Sequence, residues 1–117
     1  MNFDDAIAAH IKWKVRLAQF IDGTSQERLQ SAAVAQDDLC ELGQWLRGEG
    51  AQYAALPHYR ELIEKHAHFH HCAAEVVRKV ENRDRAGAKV ALGGAFATAS
   101  KETVRAIMAL KKEASRR

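Results

Sequence analysis

The sequence predicts an all-α protein: an antiparallel four-helix bundle, with a short extra helix allowed between the first and second helices. Three observations carry this. Of the 117 residues 22 are alanine, one is proline (Pro57) and few are β-branched. Alanine loses no side-chain entropy in a helix, whereas β-branched residues lose rotamer freedom and proline removes a donor. Apolar residues recur at spacings of three and four, which stacks them on one helix face. Glycine, aspartate, asparagine and proline punctuate these stretches where helices should start and stop, and no linker or repeat separates them.

The first helix is expected over residues 3–21. Phe3, Ile7, His10, Trp13, Leu17, Phe20 and Ile21 form its inner row, while Lys12, Lys14, Arg16 and Gln19 fall elsewhere. Asp22, Gly23, Thr24 and Ser25 stop it, with Gly23 as the left-handed residue past the end. Residues 26–35 read equally as loop or short helix. A second helix is expected from Gln36 to Arg47, capped by Asp37 or Asp38, striped with Leu39, Leu42 and Leu46, and closed by Gly48 and Gly50. The third should start at Pro57, where the missing N–H costs nothing, and run to about Asn82. Its inner stripe is Tyr59, Leu62, Ile63, His66, Phe69, His70, Ala73, Val76, Val77 and Val80. The fourth covers residues 86–114, with Leu92, Phe96, Ala99, Thr103, Ile107 and Leu110 inward and a kink or close helix approach at Gly93–Gly94. Four helices with one apolar face each bury those faces best as a bundle, an architecture that builds metal sites from facing side chains.

Composition narrows the function. Hydrophobic residues are 47% and charged residues 28%, the balance of a globular domain, and the length fits one domain over residues 1–117. Two cysteines do not make a disulfide scaffold. No apolar run approaches the roughly 18–20 residues needed to cross a bilayer. Asp4 and Asp5 at the N-terminus do not fit a secretory leader, so a cytoplasmic location is expected. The net charge is +3, with Lys111, Lys112, Arg116 and Arg117 read as a solvated tail. No basic stripe interleaved with aromatics points to nucleic acid, and nothing points to a membrane surface.

Histidine is the unusual residue: four of the six lie within residues 66–71. His10 lies on the inner row of the first helix, and His66 and His70 stand one turn apart on the inner row of the third. A single histidine on such a row is usually a hydrogen-bonded core residue, but two imidazoles one turn apart can address one ion. With Cys40 they make a Cys–His₃ set whose softness suits zinc over magnesium or calcium. His68 points about 200° away from His66 at 100° per residue and reads as surface. His71 reads as flank, with a supporting role open to it; His58 reads as exposed, and Cys72 as a small buried or half-buried residue outside the set.

These residues resemble a known family. His10-Ile11-Lys12-Trp13 looks like an HxxW motif, Cys40-Glu41-Leu42-Gly43-Gln44-Trp45 like Cx[LF]Gx[WFY], and His66-Ala67-His68-Phe69-His70 like HxxxH. Together, in this order, they resemble the chemoreceptor zinc-binding (CZB) domain from about Phe3 to Lys112. The resemblance implies a four-helix bundle, often dimeric, binding Zn²⁺ through His10, Cys40, His66 and His70, with Trp13, Gly43 and Trp45 as the motif residues around the ligands. It implies a regulatory domain acting on a signalling module such as a chemoreceptor or diguanylate cyclase. The input would be zinc occupancy or oxidation of the zinc-bound cysteine by hypochlorous acid.

The expectation is therefore a stand-alone sensor, not an enzyme, working as a homodimer on a separate partner. Cys40 is the oxidisable ligand, and Gly43 just after it reads as a flexible point. A zinc-held interaction module without sensing is the alternative. A catalytic zinc site lacks the HExxH base and an open position, and a di-iron bundle lacks the bridging carboxylates.

Overall fold

Asn2 starts the first helix, its side chain accepting the Asp5 N–H at 2.8 Å, which satisfies one of the free donors of the first turn. The resulting α1 spans Phe3–Asp22 and ends at Gly23, whose φ of 77° lies in the left-handed region. Ala6, His10, Trp13, Leu17 and Ile21 are its buried residues; Phe3, Ile7 and Phe20 sit at the margins of the core. The computed structural model describes residues 2–116, apart from the side chain of Leu39. That side chain, expected in the second stripe, and Arg117, expected in the basic tail, lie outside the described residues.

The chain then returns in short pieces. The ambiguous stretch resolves into an irregular crossing followed by α2, Ser31–Val34, the expected extra helix. The second helix does not run unbroken from Gln36 to Arg47. A 3₁₀ turn covers Asp37–Leu39, Cys40 is extended at φ −85°, ψ 158°, and α3 begins only at Glu41 and ends at Arg47. Cys40, not Asp37 or Asp38, is the cap: its Sγ accepts the Gly43 N–H at 3.4 Å. Gly48 closes α3, as expected, and a second 3₁₀ turn, Glu49–Tyr53, which periodicity did not reveal, holds Gly50. Trp45 packs so close there that a Cβ on Gly50 would lie 2.7 Å from its ring.

Two of the remaining three helices are long. Pro57 opens α4, which runs to Glu81. Asp84 caps α5, Arg85–Gly93, by accepting the Gly87 N–H at 2.9 Å. The expected fourth helix is broken at Gly94, whose φ −106°, ψ −104° leaves the helical region, and α6 follows over Ala95–Ala114. The glycine pair thus marks a break; among the described residues nothing lies within 4 Å of where a Gly93 Cβ would be, so Gly93 serves no close helix contact there.

All elements among the described residues are helical. Ion pairs and hydrogen bonds give the directions. Lys111 bonds Asp4 at 2.9 Å and the His58 N–H bonds Glu113 at 3.2 Å, so α6 runs against both α1 and α4. The return segment runs against α4, from Ser31 beside Glu81 to the Leu46 carbonyl beside the Tyr59 hydroxyl. The result is an up-down-up-down helical bundle whose second rod is fragmented. Its apolar interior falls into two clusters, one around Trp13, Leu17, Phe69 and Phe96, the other around Leu42, Leu46, Leu62 and Ile107. Along α1 and α4, His10 and His66 stand between the two, and His70 follows Phe69 at the edge of the first. Among the described residues no helix is long and apolar enough to cross a membrane.

Candidate metal centre

Three rods of the bundle meet at one polar point. His10 comes from α1, His66 and His70 from α4, and Cys40 from the cap of α3. One potential ligand atom from each lies within 4.8 Å of all the others. His66 Nε2 is 3.1 Å from Cys40 Sγ and 3.1 Å from His70 Nε2. The three imidazoles are 1–2% exposed, and Cys40 is half-buried.

The far side of two of the rings fixes which nitrogen is free. His10 Nδ1 donates to the Ala6 carbonyl at 2.8 Å, and His70 Nδ1 donates to the Val34 carbonyl at 2.9 Å. A carbonyl only accepts, so both rings carry their proton on Nδ1 and present a lone pair on Nε2. His66 turns Nδ1 toward the Asp37 carboxylate, 3.9 Å away. Among the described residues His10 Nε2 is buried without a hydrogen-bond partner. Leaving a buried acceptor unsatisfied costs about 1–3 kcal/mol, and a cation among these four donors would remove that cost.

The set fits such an ion. Tetrahedral zinc with bonds of about 2.0–2.1 Å to nitrogen and 2.3 Å to sulfur places its ligand atoms roughly 3.3–3.6 Å apart, against the two 3.1 Å contacts of His66 and the 4.8 Å outer limit of the set. Its electrostatics fit as well. Burial pushes His10 down to a pKa of about 4, aided by His70. Burial also lowers His66, with His70, His10 and Arg47 adding to it, and lowers His70. All three rings are thus held neutral, the form that binds metal. Burial raises the Cys40 thiol, and Asp37 and Glu41 reinforce this against the Gly43 and Leu42 N–H groups. Without a cation the sulfur keeps its proton, so metal binding would release one.

The motif residues do different work. The Trp13 ring meets His70 edge-on at 5.9 Å, and Arg16 lies 3.9 Å over it, held in turn by both oxygens of Glu27. Gly43 is not a flexible point: it is helical and buried, and a Cβ there would lie 2.0 Å from the Asp37 carbonyl oxygen. Only glycine lets the 37–39 turn rest on the first turn of α3 and so set Cys40 in place. Trp45 packs on Phe3 and Tyr53, at 5.3 and 6.1 Å, and braces α3 without meeting the ligands. A cleft of about 580 Å³, lined in part by Trp13, Leu29, Val34 and Leu42, reaches His10, Cys40 and His70 from one side.

Sequence reasoning missed the supporting acceptors. The Ala6 and Val34 carbonyls are backbone atoms with no sequence signal, whereas Asp37 was visible but read as a cap. Of the other histidines, His68 and His71 are exposed, and their rings lie nearly parallel at 6.4 Å; among the described residues His71 makes no hydrogen bond to a ligand candidate. Cys72 is buried beside His68, outside the set. His58, expected to be exposed, keeps 41% of its side chain accessible beside Glu61 and Glu113.

Comparison with known proteins adds one finding. The profile of the Chemoreceptor zinc-binding domain, CZB, matches residues 10–77, more than half of the chain and the span from the first ligand candidate past the last. No curated protein and no solved structure matches.

Proposed function

This chain belongs to the chemoreceptor zinc-binding domain family, and from that premise we propose that it is a zinc-dependent sensory or regulatory domain whose ligands are His10, Cys40, His66 and His70. The observation that carries this is the buried, unpartnered His10 Nε2 facing three further N and S donors. Bound zinc supplies a positive charge that holds Cys40 as thiolate. His10 and His70 arrive with their protons already committed to carbonyls, so they bind without changing tautomer. Cys40 gives up a proton, and its bond ties the fragmented rod to α1 and α4.

The proposed input is zinc occupancy or oxidation of Cys40. With hypochlorous acid the thiolate sulfur takes the hydroxyl and chloride leaves, giving a sulfenic acid that has lost the ligand's charge. The cleft along Trp13 and Leu29 is the approach to that sulfur. Loss of the Cys40 bond would loosen the return segment, which would then meet the site through the His70–Val34 hydrogen bond and the Asp37 carboxylate beside His66.

The output is proposed to pass to a separate signalling protein, such as a chemoreceptor or a diguanylate cyclase, from a cytoplasmic homodimer. Ile11 and Val15 of α1 and Met108 of α6 are more than half exposed and offer apolar contact for a partner. A catalytic role is not proposed, because four side-chain donors fill a tetrahedral ion and leave no open position. The test is zinc content of the purified chain by mass spectrometry. One tightly held zinc, absent in Cys40→Ala and His66→Ala, supports the site, and a change of shape on zinc removal or oxidation supports sensing. A tightly bound zinc without any such change leaves a structural zinc module, and a metal-free wild type equally stable in chelator defeats the proposal.

A further inference from the structure

The cleft beside the metal centre has the size and the walls of a small-molecule site. Its volume of about 580 Å³ falls within the roughly 300–1,000 Å³ of such sites, which combine apolar walls with a few aimed polar groups. Trp13, Leu29, Val34 and Leu42 supply the apolar walls. The cleft follows α1 from His10, beside Cys40, to Arg16, a distance of about 9 Å along the helix axis.

Its two ends differ in charge. Arg28 reaches the cleft from the residue after Glu27, and Glu27 holds Arg16 with both carboxylate oxygens, so both guanidiniums belong to the Arg16 end. Arg28 is exposed and has no ion pair or hydrogen bond among the described residues. That end therefore keeps one positive charge in excess. Glu41, next to Cys40, puts a carboxylate at the other end. Between them Trp13 is 8% exposed, and its indole N–H, not sealed from solvent, has no acceptor among the described residues. A donor so placed gains from a ligand oxygen that accepts from it.

We propose that this cleft binds a small free organic acid, a carboxylate carried on an aliphatic or aromatic body. The carboxylate pairs with Arg28 and accepts the Trp13 N–H, and the body lies along Leu29, Val34 and Leu42 toward Cys40. Glu41 repels the reversed orientation. The bound body stands between solvent and the Cys40 sulfur, so the ligand slows attack on that thiol. The proposal goes beyond the zinc reading and does not rest on a sensing role for the metal centre.

The probes are hydrocinnamate and hexanoate, with neutral hydrocinnamide as control, titrated into the zinc-loaded full chain by isothermal calorimetry. One equivalent of acid per chain is expected to bind saturably, and the amide about tenfold more weakly, as a charge-assisted hydrogen bond warrants. Arg28→Gln, at an exposed side chain, should reduce hydrocinnamate to the level of the amide with zinc content unchanged. Trp13→Phe keeps a ring and should weaken acid and amide together. Saturating acid should slow alkylation of Cys40 by iodoacetamide, read by peptide mass spectrometry, and leave Cys72 unaffected. Zinc content is measured in the same samples, so failure of the metal site and failure of the cleft are separate results. Neither acid binding saturably, acid and amide binding equally, binding that survives Arg28→Gln, or Cys40 alkylated at an unchanged rate with acid bound overturns the proposal.

Discussion

The long helices and the return segment between α1 and α4 hold the same site in opposite ways. α1 and α4 are unbroken for 20 and 25 residues, and they present His10, His66 and His70 from rigid backbone with full burial. The return segment is made of helices of four and seven residues joined by turns, too short to be stable alone, since isolated helices below about 12–15 residues are marginal. Yet it supplies the thiol of Cys40 and the Val34 carbonyl that orients His70. The regular half therefore pre-organises the nitrogen donors, and the irregular half is the part whose position depends on the site. A metal bond there changes the stability of one quarter of the bundle more than that of the rest.

Removing zinc tests this difference with the largest effect. Structural zinc contributes about 10–16 kcal/mol in small zinc-dependent folds, so chelation should lower the melting temperature steeply, measured by circular dichroism. Cutting the regular half instead should separate stability from metal binding. Phe96→Ala, at a fully buried ring packed 5.2 Å from Phe69, should cost about 3–5 kcal/mol in urea unfolding with zinc content unchanged. Gly43→Ala should do the reverse. Overpacking costs about 1–3 kcal/mol, but the 2.0 Å clash with the Asp37 carbonyl displaces Cys40, so weakened zinc affinity should exceed the loss of stability.

Acid should act on the metal-free chain through the long helices. The folded pKa values of His10, His66 and His70 are all depressed, His10 from 6.5 to about 4. Below the unfolded value the unfolded chain binds more protons than the folded one, so stability is full above about pH 6.5 and is lost as pH falls toward 4. The urea midpoint of the chelated protein should drop between pH 7.5 and 5. The smallest effect is expected at the far anchor of the return segment. Ser31→Ala removes an exposed hydroxyl bonded to Glu81 at 2.7 Å and should cost about 0.5–1.5 kcal/mol, seen as faster amide exchange in α2 with zinc affinity retained.

The same contrast explains what the sequence made legible. α1 and α4 were readable to within a residue because Asn2, Gly23 and Pro57 act locally and the apolar rows are periodic. The four ligand candidates were readable because three sit on those rows and the fourth opens a motif. The break at Cys40 was not, because a thiol accepting the Gly43 N–H is an unusual cap and residues 36–47 also carry helical spacing. The break at Gly94 was visible only as a weak point. The roles of Gly43 and of the Ala6 and Val34 carbonyls depend on contacts between elements, which no local pattern carries.

The central claim is that metal binding at His10, Cys40, His66 and His70 fastens the return segment to the long helices. Hydrogen exchange of residues 31–47, followed with zinc bound and after chelation, tests it most directly. The expected result is a selective loss of protection in that segment while α4 and α6 keep theirs; protection that is unchanged on chelation, or that falls equally along the whole chain, would contradict it.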